Sequence, residues 1–224
     1  MSDPARSRKP RGQGPSRRPE ILRAAQRLFL EEGYERTTMR RLASAVGVSA
    51  TALYVYFPDK DAILHAIAEI TFSDMLARLE ATQALPLPLP ERFRAGLRGY
   101  VEFGLSRPDE YRLTFLAKAM LPSTPGQHML ACTRFEAKSR SFAILERGIT
   151  ELMDAGVFRR AHPTLVAEAM WACLHGVTAL LLDLPSHVQA EPDMLIETVL
   201  DLAMRGLQEP QPASAPCTPG TGGG

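Results

Sequence analysis

The sequence predicts an all-α protein of about nine helices. Ala, Leu and Met are abundant in its 224 residues, while aromatic side chains make up only 7%, a composition that favours helices over strands. Apolar residues recur at helical spacing along most of the chain, and proline and glycine interrupt that pattern at intervals of about one helix. No segment shows the sustained alternation that is typical of a half-buried strand.

Both ends of the chain are expected to lie outside the helical body. Residues 1–16 combine Pro, Gly, Ser and Arg without periodicity, which predicts a disordered basic arm. Residues 209–224, "EPQPASAPCTPGTGGG", are of low complexity and predict a disordered tail.

The first two helices are marked by their ends. The first is expected from about Arg18 to Glu32, with a proline near its start, a glycine after its end and an amphipathic apolar stripe. The second follows Thr38, whose hydroxyl can cap it, and closes at Gly47. The stripe of the first helix consists of Ile21, Ala25, Leu28 and Phe29.

The later helices are indicated by caps and prolines. Ser49 can cap a short third helix that runs to about Tyr56, and Asp59 can cap a long fourth helix that ends near Ala81. The segment "LPLPLP", residues 85–90, predicts a connection because its prolines disfavour helix. Five more helices are expected at about 91–106, 108–120, 127–155, 163–183 and 191–207.

Charge is distributed unevenly along the chain. Residues 1–60 carry 12 Lys and Arg against 6 Asp and Glu, whereas residues 61–224 carry 14 against 19. A basic N-terminal part beside an acidic body indicates a polyanion contacted at one end, although a solvated basic arm would give the same balance.

Several functional classes find no support in the sequence. The three cysteines, Cys132, Cys173 and Cys217, have no paired spacing, so neither a disulfide framework nor a metal site is expected. The chain lacks a nucleophile–base pairing and a phosphate loop, so we predict no catalytic residue and no cofactor. The longest apolar run, "GVTALLLDL", is broken by Asp183, which predicts a soluble cytoplasmic protein without membrane contact.

Two short helices joined at Gly47 and Val48 form a helix-turn-helix pattern. The second of them is expected to bury Leu53 and Phe57 and to point its other side chains outward, where they can enter the major groove of double-stranded DNA. Basic and hydroxyl side chains around it can bind phosphates. The predicted DNA-contacting residues are Thr38, Arg40, Arg41, Ser49, Ala50, Thr51, Tyr54, Val55, Tyr56 and Lys60.

The stretch "EGYERTTMRRLASAVGVSATALYVYFPDKDAIL" resembles the N-terminal domain of the TetR family of bacterial transcriptional regulators. The resemblance implies that Tyr56 and Lys60 hold phosphates and that Arg40, Thr51, Tyr54 and Val55 lie at or near the bases. Members often carry Lys, Gly and Thr at positions 50–52, so the operator sequence cannot be transferred. The matching positions are Gly33, Tyr34, Thr38, Leu42, Ala43, Gly47, Val48, Ser49, Leu53, Tyr54, Tyr56, Phe57, Lys60 and Leu64.

Two open alternatives concern this N-terminal part. Tyr54 and Tyr56 can pack beneath the long helix instead of facing DNA. The arm residues Arg6, Arg8, Lys9 and Arg11 can reach a minor groove, or add only non-specific attraction, which we favour. The DNA-binding domain is expected to span residues 17–63.

Residues 64–208 are expected to form a helical regulatory domain that binds a ligand and dimerises. The segment "WACLHG", with "RPDEYRLTF" upstream, resembles a C-terminal regulatory domain named for its Trp-His-Gly pattern and found in some TetR regulators. Apolar side chains between helices are candidates for an effector pocket, although each can equally be plain core. The candidates are Phe72, Met75, Leu79, Phe93, Leu97, Tyr100, Phe103, Tyr111, Phe115, Met120, Phe142, Trp171 and His175.

The resemblance also implies a homodimer, because the last two long helices of each chain commonly form the interface in this family. A face of small residues on the helix at 163–183 would let a neighbouring helix approach closely. The predicted interface consists of Ala169, Ala172, Gly176, Ala179, Val199, Leu200, Ala203 and Leu207.

The sequence therefore predicts a homodimeric regulator, a repressor released from a palindromic operator by a small, largely apolar effector. There are two alternatives. The protein could be an activator, or it could be a helical small-molecule-binding or protein-interaction module whose DNA binding is lost.

Overall fold

A computed structural model describes residues 14–116 and 136–208. Within these ranges the chain forms nine α-helices and no strand, as predicted. Residues 1–13 of the predicted arm, the predicted tail, Met120 and the parts of the expected helices that fall in 117–135 lie outside the described residues, whereas residues 14–16, expected to be disordered, belong to the first helix. The helices are α1 (Gly14–Glu31), α2 (Met39–Ala45), α3 (Ala50–Tyr54), α4 (Lys60–Gln83), α5 (Leu89–Ser106), α6 (Pro108–Tyr111), α7 (Glu136–Asp154), α8 (Pro163–Asp183) and α9 (Pro192–Arg205), with a π-helical turn at Arg112–Leu116 and a 3-10 turn at Pro185–His187.

Two helices begin earlier than the sequence indicates. α1 starts at Gly14 instead of near Arg18, so Pro19 lies inside the helix and not at its first position. α5 starts at Leu89, within the segment expected to be a connection, because Pro90 occupies the first turn, where no N–H is needed. α3 ends at Tyr54, two residues short of the expected Tyr56.

The first hydrophobic core joins α1, α2, α3 and the first half of α4. Leu28, Phe29, Ala43, Leu53 and Phe57 are all buried in this core, so the expected burial of Leu53 and Phe57 is confirmed. The sequence did not indicate that Leu113, from the π-helical turn, also belongs to this core; its side chain is buried among these residues. The N-terminal helices are thus packed against α4, against α6 and against the π-helical turn that follows α6.

The second core lies among α4, α5, α7, α8 and α9. Two glycines let helices approach closely. A Cβ on Gly148 would lie 2.6 Å from Phe93, and a Cβ on Gly104 would lie 2.5 Å from Thr178. Outside this core, Arg94 and Arg98 of α5 form ion pairs with acidic residues of α9, and hydrogen bonding from Arg94 lowers the pKa of Glu197.

The 21-residue α8 is long and apolar enough to span a membrane by length and composition alone, a test that the core helix of a soluble protein also passes. Only 28% of its most apolar window is buried within the chain, so much of its apolar surface faces outward. This helix packs against α5, α7 and α9 as part of the second core.

Candidate nucleic-acid interface

The turn between α2 and α3 is built by residues that the sequence identified. Gly47 has a φ of +69°, a conformation that glycine adopts without a steric penalty. The hydroxyl of Thr38 accepts from the Arg41 N–H at 3.2 Å, and the hydroxyl of Ser49 accepts from the Ala52 N–H at 3.1 Å. The second bond caps α3 and fixes where this short helix begins.

Loss of the Ser49 cap is expected to destabilise the protein. The change Ser49→Ala removes the acceptor for the Ala52 N–H and should lower the free energy of unfolding by about 1 kcal/mol. Urea unfolding followed by circular dichroism measures this. Ser44→Ala, at an exposed position inside α2, is the matched control and should be neutral or slightly stabilising. Equal unfolding midpoints for both variants would contradict the role of the cap.

One side of α3 is core and the other is surface. Leu53 and Phe57 are buried, whereas Tyr54 is 52% exposed and Val55, just after the helix, is 81% exposed. Thr51 is exposed as well. The helix therefore presents a hydroxyl, a phenol and an apolar side chain to solvent, which is the arrangement that the sequence predicted for base contacts. Ala50 and Tyr56 are half-buried and pack partly against the core.

The predicted phosphate ligands surround this surface, but three of them, Thr38, Arg41 and Lys60, have partners within the chain. Arg40 and Thr38 are exposed. Arg41 forms an ion pair with Glu32, its Nη2 atom 2.7 Å from a carboxylate oxygen, and the hydrogen bond to Glu32 raises the pKa of Arg41. The sequence did not indicate this pair, because nine positions separate the two residues.

Lys60 is also held by the chain. Its ammonium group donates to the carbonyl oxygen of Tyr34 at 3.0 Å and lies 4.1 Å from the centre of that residue's ring. The carboxylate of Glu35 is 3.8 Å away. Lys60 is thus positioned at the start of α4 beside the loop that joins α1 to α2, where it retains free N–H groups for a phosphate.

The candidate pocket residues fall into two kinds. All those within the described residues except His175 belong to or pack against the second core. Phe93 fills the space left by Gly148, which makes it plain packing. Six others come together in a group that we call the aromatic cluster: Phe72, Tyr100, Tyr111, Phe115, Trp171 and His175.

A chain of hydrogen bonds runs through the aromatic cluster. Trp171 donates to the hydroxyl of Tyr100 at 3.0 Å, this hydroxyl lies 3.0 Å from that of Tyr111, and the Tyr111 hydroxyl lies 2.7 Å from Nδ1 of His175. Burial raises the pKa of Tyr100 to about 12, raises that of Tyr111 and lowers that of His175. At neutral pH both phenols are therefore protonated and His175 is neutral, and the tautomer of its imidazole sets whether Nδ1 or the Tyr111 hydroxyl donates.

The predicted interface residues are not all at the surface. Ala169 and Ala172 are exposed, and Gly176, Ala179, Val199, Ala203 and Leu207 are half-buried. Leu200 is an error of the sequence prediction: it is fully buried in the core of its own chain, because it lies on the face of α9 that packs against α5 and α8. Leu202, on the opposite face, is 69% exposed.

The 18-residue α1, the two short helices α2 and α3, and the capped, exposed position of α3 beside a helical body define a helix-turn-helix DNA-binding protein. Residues 21–67 match the model of the bacterial regulatory proteins of the tetR family, and residues 93–203 match that of the tetracyclin repressor-like C-terminal domain. The chain belongs to the TetR family of transcriptional regulators.

Known proteins match part of the chain by sequence. An HTH-type transcriptional repressor of Mycobacterium tuberculosis is 35% identical over 96 residues, 43% of this chain and 44% of that protein. The repressor AcnR of Corynebacterium diphtheriae is 48% identical over 52 residues, 23% of this chain and 27% of that protein. The alignments therefore span less than half the length of these relatives.

Solved structures match over most of the chain. A protein of unknown function from a Rhodococcus species is 27% identical with a TM-score of 0.70, and the match covers 90% of this chain and 100% of that one. The TetR family regulator PfmR of Thermus thermophilus is 23% identical with a TM-score of 0.65, covering 84% and 99% of the two chains. These likenesses establish the fold.

Proposed function

We propose that this protein is a homodimeric, cytoplasmic repressor that reads a roughly palindromic operator through α3 and is released by a small, largely apolar effector. The DNA-binding part is residues 17–63, and residues 64–208 form the regulatory part, of the Trp-His-Gly type. The observation that carries the proposal is the exposed surface of Thr51, Tyr54 and Val55 on a helix whose opposite side is core.

Readout by these side chains is expected to be mainly apolar. Val55 can contact thymine methyl groups, while the hydroxyls of Thr51 and Tyr54 can bond to base edges or phosphates. Arg40, Arg41, Tyr56 and Lys60 would then fix the register of the helix on the duplex. The repressor names of the relatives that match by sequence support the direction of regulation.

Release by an effector is supported by how the body contacts the DNA-binding part. α4 contributes buried residues to both cores, and Leu113 extends from the turn after α6 into the N-terminal core. Tyr111 and Phe115, on either side of Leu113, belong to the aromatic cluster. A molecule that rearranges the aromatic cluster would therefore displace a side chain that α1 and α4 pack against.

The first experiment selects bound duplexes from fragmented genomic DNA, including the chain's own upstream region, over a series of salt concentrations. An enriched palindrome is expected. Binding without any sequence preference would contradict the proposed repressor, and an enriched site whose binding raises transcription would make the protein an activator.

Variants at α3 and α4 should then separate base reading from phosphate binding. Tyr54→Ala is expected to weaken binding to the selected palindrome about tenfold or more, with little effect on unrelated duplexes. Lys60→Ala should weaken binding to both and reduce the slope of log K against log salt by about 1. Fluorescence anisotropy measures both quantities.

The matched control for Lys60 is Arg159→Ala, which removes the same charge from an exposed position in the body. An equal loss of affinity in this control would show that net charge alone accounts for the effect of Lys60. If the Tyr54→Ala variant keeps its preference for the palindrome, α3 does not read the base sequence.

A further inference from the structure

The carboxylates of Glu32 and Glu35 lie beside the candidate DNA-binding surface, and each contacts a basic side chain of that surface. Nε of Arg41 donates to Glu32 at 2.9 Å, and Nη2 of the same guanidinium lies 2.7 Å from the same oxygen. Nζ of Lys60 lies 3.8 Å from a carboxylate oxygen of Glu35. Both acids lie just after the end of α1, in the sequence "EEGYER", so one short segment approaches both cations.

The two pairs differ in how firmly they hold the cation. Glu32 is two-thirds buried and engages one edge of the guanidinium through two nitrogens, which leaves the outer edge of Arg41 toward solvent. Glu35 is 89% exposed and reaches Lys60 only at long range, while Lys60 is itself fixed by the Tyr34 carbonyl group. The pairing of Arg41 with Glu32 is therefore the better ordered of the two.

A phosphate that approaches Arg41 meets a cation that already has a counter-charge. The sequence-independent part of DNA affinity comes from cations that replace condensed counterions, and each additional cation steepens the dependence of log K on log salt by about 0.9. A carboxylate that stays bound to its cation cancels most of that contribution.

We propose that Glu32 limits the affinity for DNA, an inference that rests on the proposed DNA-binding function. The carboxylate neutralises Arg41 at the DNA surface and so lowers the sequence-independent affinity for duplex DNA. Glu35 acts in the same direction on Lys60 with a smaller effect, because that pair is longer and more exposed. The two acids keep the basic N-terminal part from binding any duplex strongly, so that the contacts of α3 decide where the protein binds.

The test measures binding to an arbitrary duplex of about 30 base pairs, and to the selected palindrome, over a salt series. Glu32→Gln keeps an amide oxygen that can accept from Arg41 but removes the charge. It is expected to steepen the salt slope by about 1 and to tighten binding to both duplexes roughly fivefold to tenfold at about 0.1 M salt. Glu35→Gln should change both quantities in the same direction by less.

Two controls isolate the pairing from net charge. Glu31→Gln removes the same charge from the neighbouring exposed position, which acts on Arg41 only through space, and should give a smaller change in slope. In an Arg41→Gln background, Glu32→Gln should leave the slope almost unchanged, because the cation that it would free is absent.

An unchanged or shallower slope for Glu32→Gln would overturn the inference, since a residue that merely orients Arg41 for phosphate would lose affinity on neutralisation. The proposed function can fail independently of this inference. If no palindrome is enriched, the repressor proposal is contradicted, but the salt dependence of binding to the arbitrary duplex still decides the role of Glu32. A protein that binds neither duplex at any salt concentration, as wild type and as Glu32→Gln, overturns both.

Discussion

Replacing Gly104 with alanine is expected to lower the free energy of unfolding by about 1–3 kcal/mol. A Cβ at this position would lie 2.5 Å from the Thr178 methyl group and 3.0 Å from the ring of Tyr111. Both neighbours are fully buried, and the hydroxyl of Tyr111 is engaged with Tyr100 and His175. Neither can move away without disturbing the packing of α5 against α6 and α8, so the added methyl group causes overpacking.

The sign of this effect is what makes the prediction informative. Glycine inside a helix is ordinarily less stable than alanine by about 0.5–1 kcal/mol, so a methyl group without close neighbours should stabilise. Gly96 lies in the same helix, where a Cβ would have Gln83 Nε2 as its nearest neighbour at 3.9 Å. Gly96→Ala is therefore the matched control and is expected to raise the free energy of unfolding.

Urea unfolding at a fixed protein concentration, followed by circular dichroism, compares the two variants. Midpoints that move in opposite directions support the close approach of α5 and α8. A midpoint for Gly104→Ala at or above that of the wild type would show that the helices do not approach closely at Gly104.

The N-terminal part was largely predictable because its signals are local. Thr38, Gly47 and Ser49 mark helix ends through hydroxyl caps and a positive φ, and these operate over only a few residues along the chain. The apolar spacing that buries Leu53 while exposing Tyr54 is equally local. For this reason the helix-turn-helix could be placed from the sequence, together with its outward face.

The missed contacts depend on packing between positions that are distant along the chain. Glu32 meets Arg41 only because α1 and α2 pack together, and Leu113 reaches the N-terminal core only because the chain forms a π-helical turn after α6. Leu200 was assigned to the wrong side of α9 because apolar residues lie on both faces, Leu200 inward and Leu202 outward. Helical spacing alone does not indicate which apolar face the rest of the chain covers.

The outward apolar faces of α8 and α9 lead to the second large effect, that of Ala172→Glu. Leu165 is 64% exposed on α8, and it lies on one stripe with the exposed Ala169 and Ala172. An interface with two-fold symmetry brings the same patch of each chain together. A glutamate at position 172 would therefore lose its hydration close to the glutamate at position 172 of the partner chain, which is unfavourable. We expect this variant to be monomeric at micromolar concentrations.

Monomerisation should also abolish high-affinity operator binding. Two recognition helices on one particle bind the second half-site at a high effective concentration, so their separation is expected to weaken binding to the palindrome about 100-fold or more. Binding to a single half-site should persist, because α3 and the proposed phosphate ligands are unchanged in this variant. This split between palindrome and half-site is what a misfolded protein would not show.

Sedimentation velocity and anisotropy on both duplexes measure these outcomes, with Ala143→Glu as the control. Ala143 is an exposed alanine on α7, one turn from Arg140 and Arg147, so a glutamate there adds the same charge on a polar helix face. A wild-type protein that is monomeric at tens of micromolar, or an Ala172→Glu variant that remains dimeric, would rule out this face as the interface. If instead only Ala172→Glu dissociates, the exposed apolar surface of α8 in one chain is covered by α8 of the partner chain. The spacing of the operator half-sites is then set by that contact.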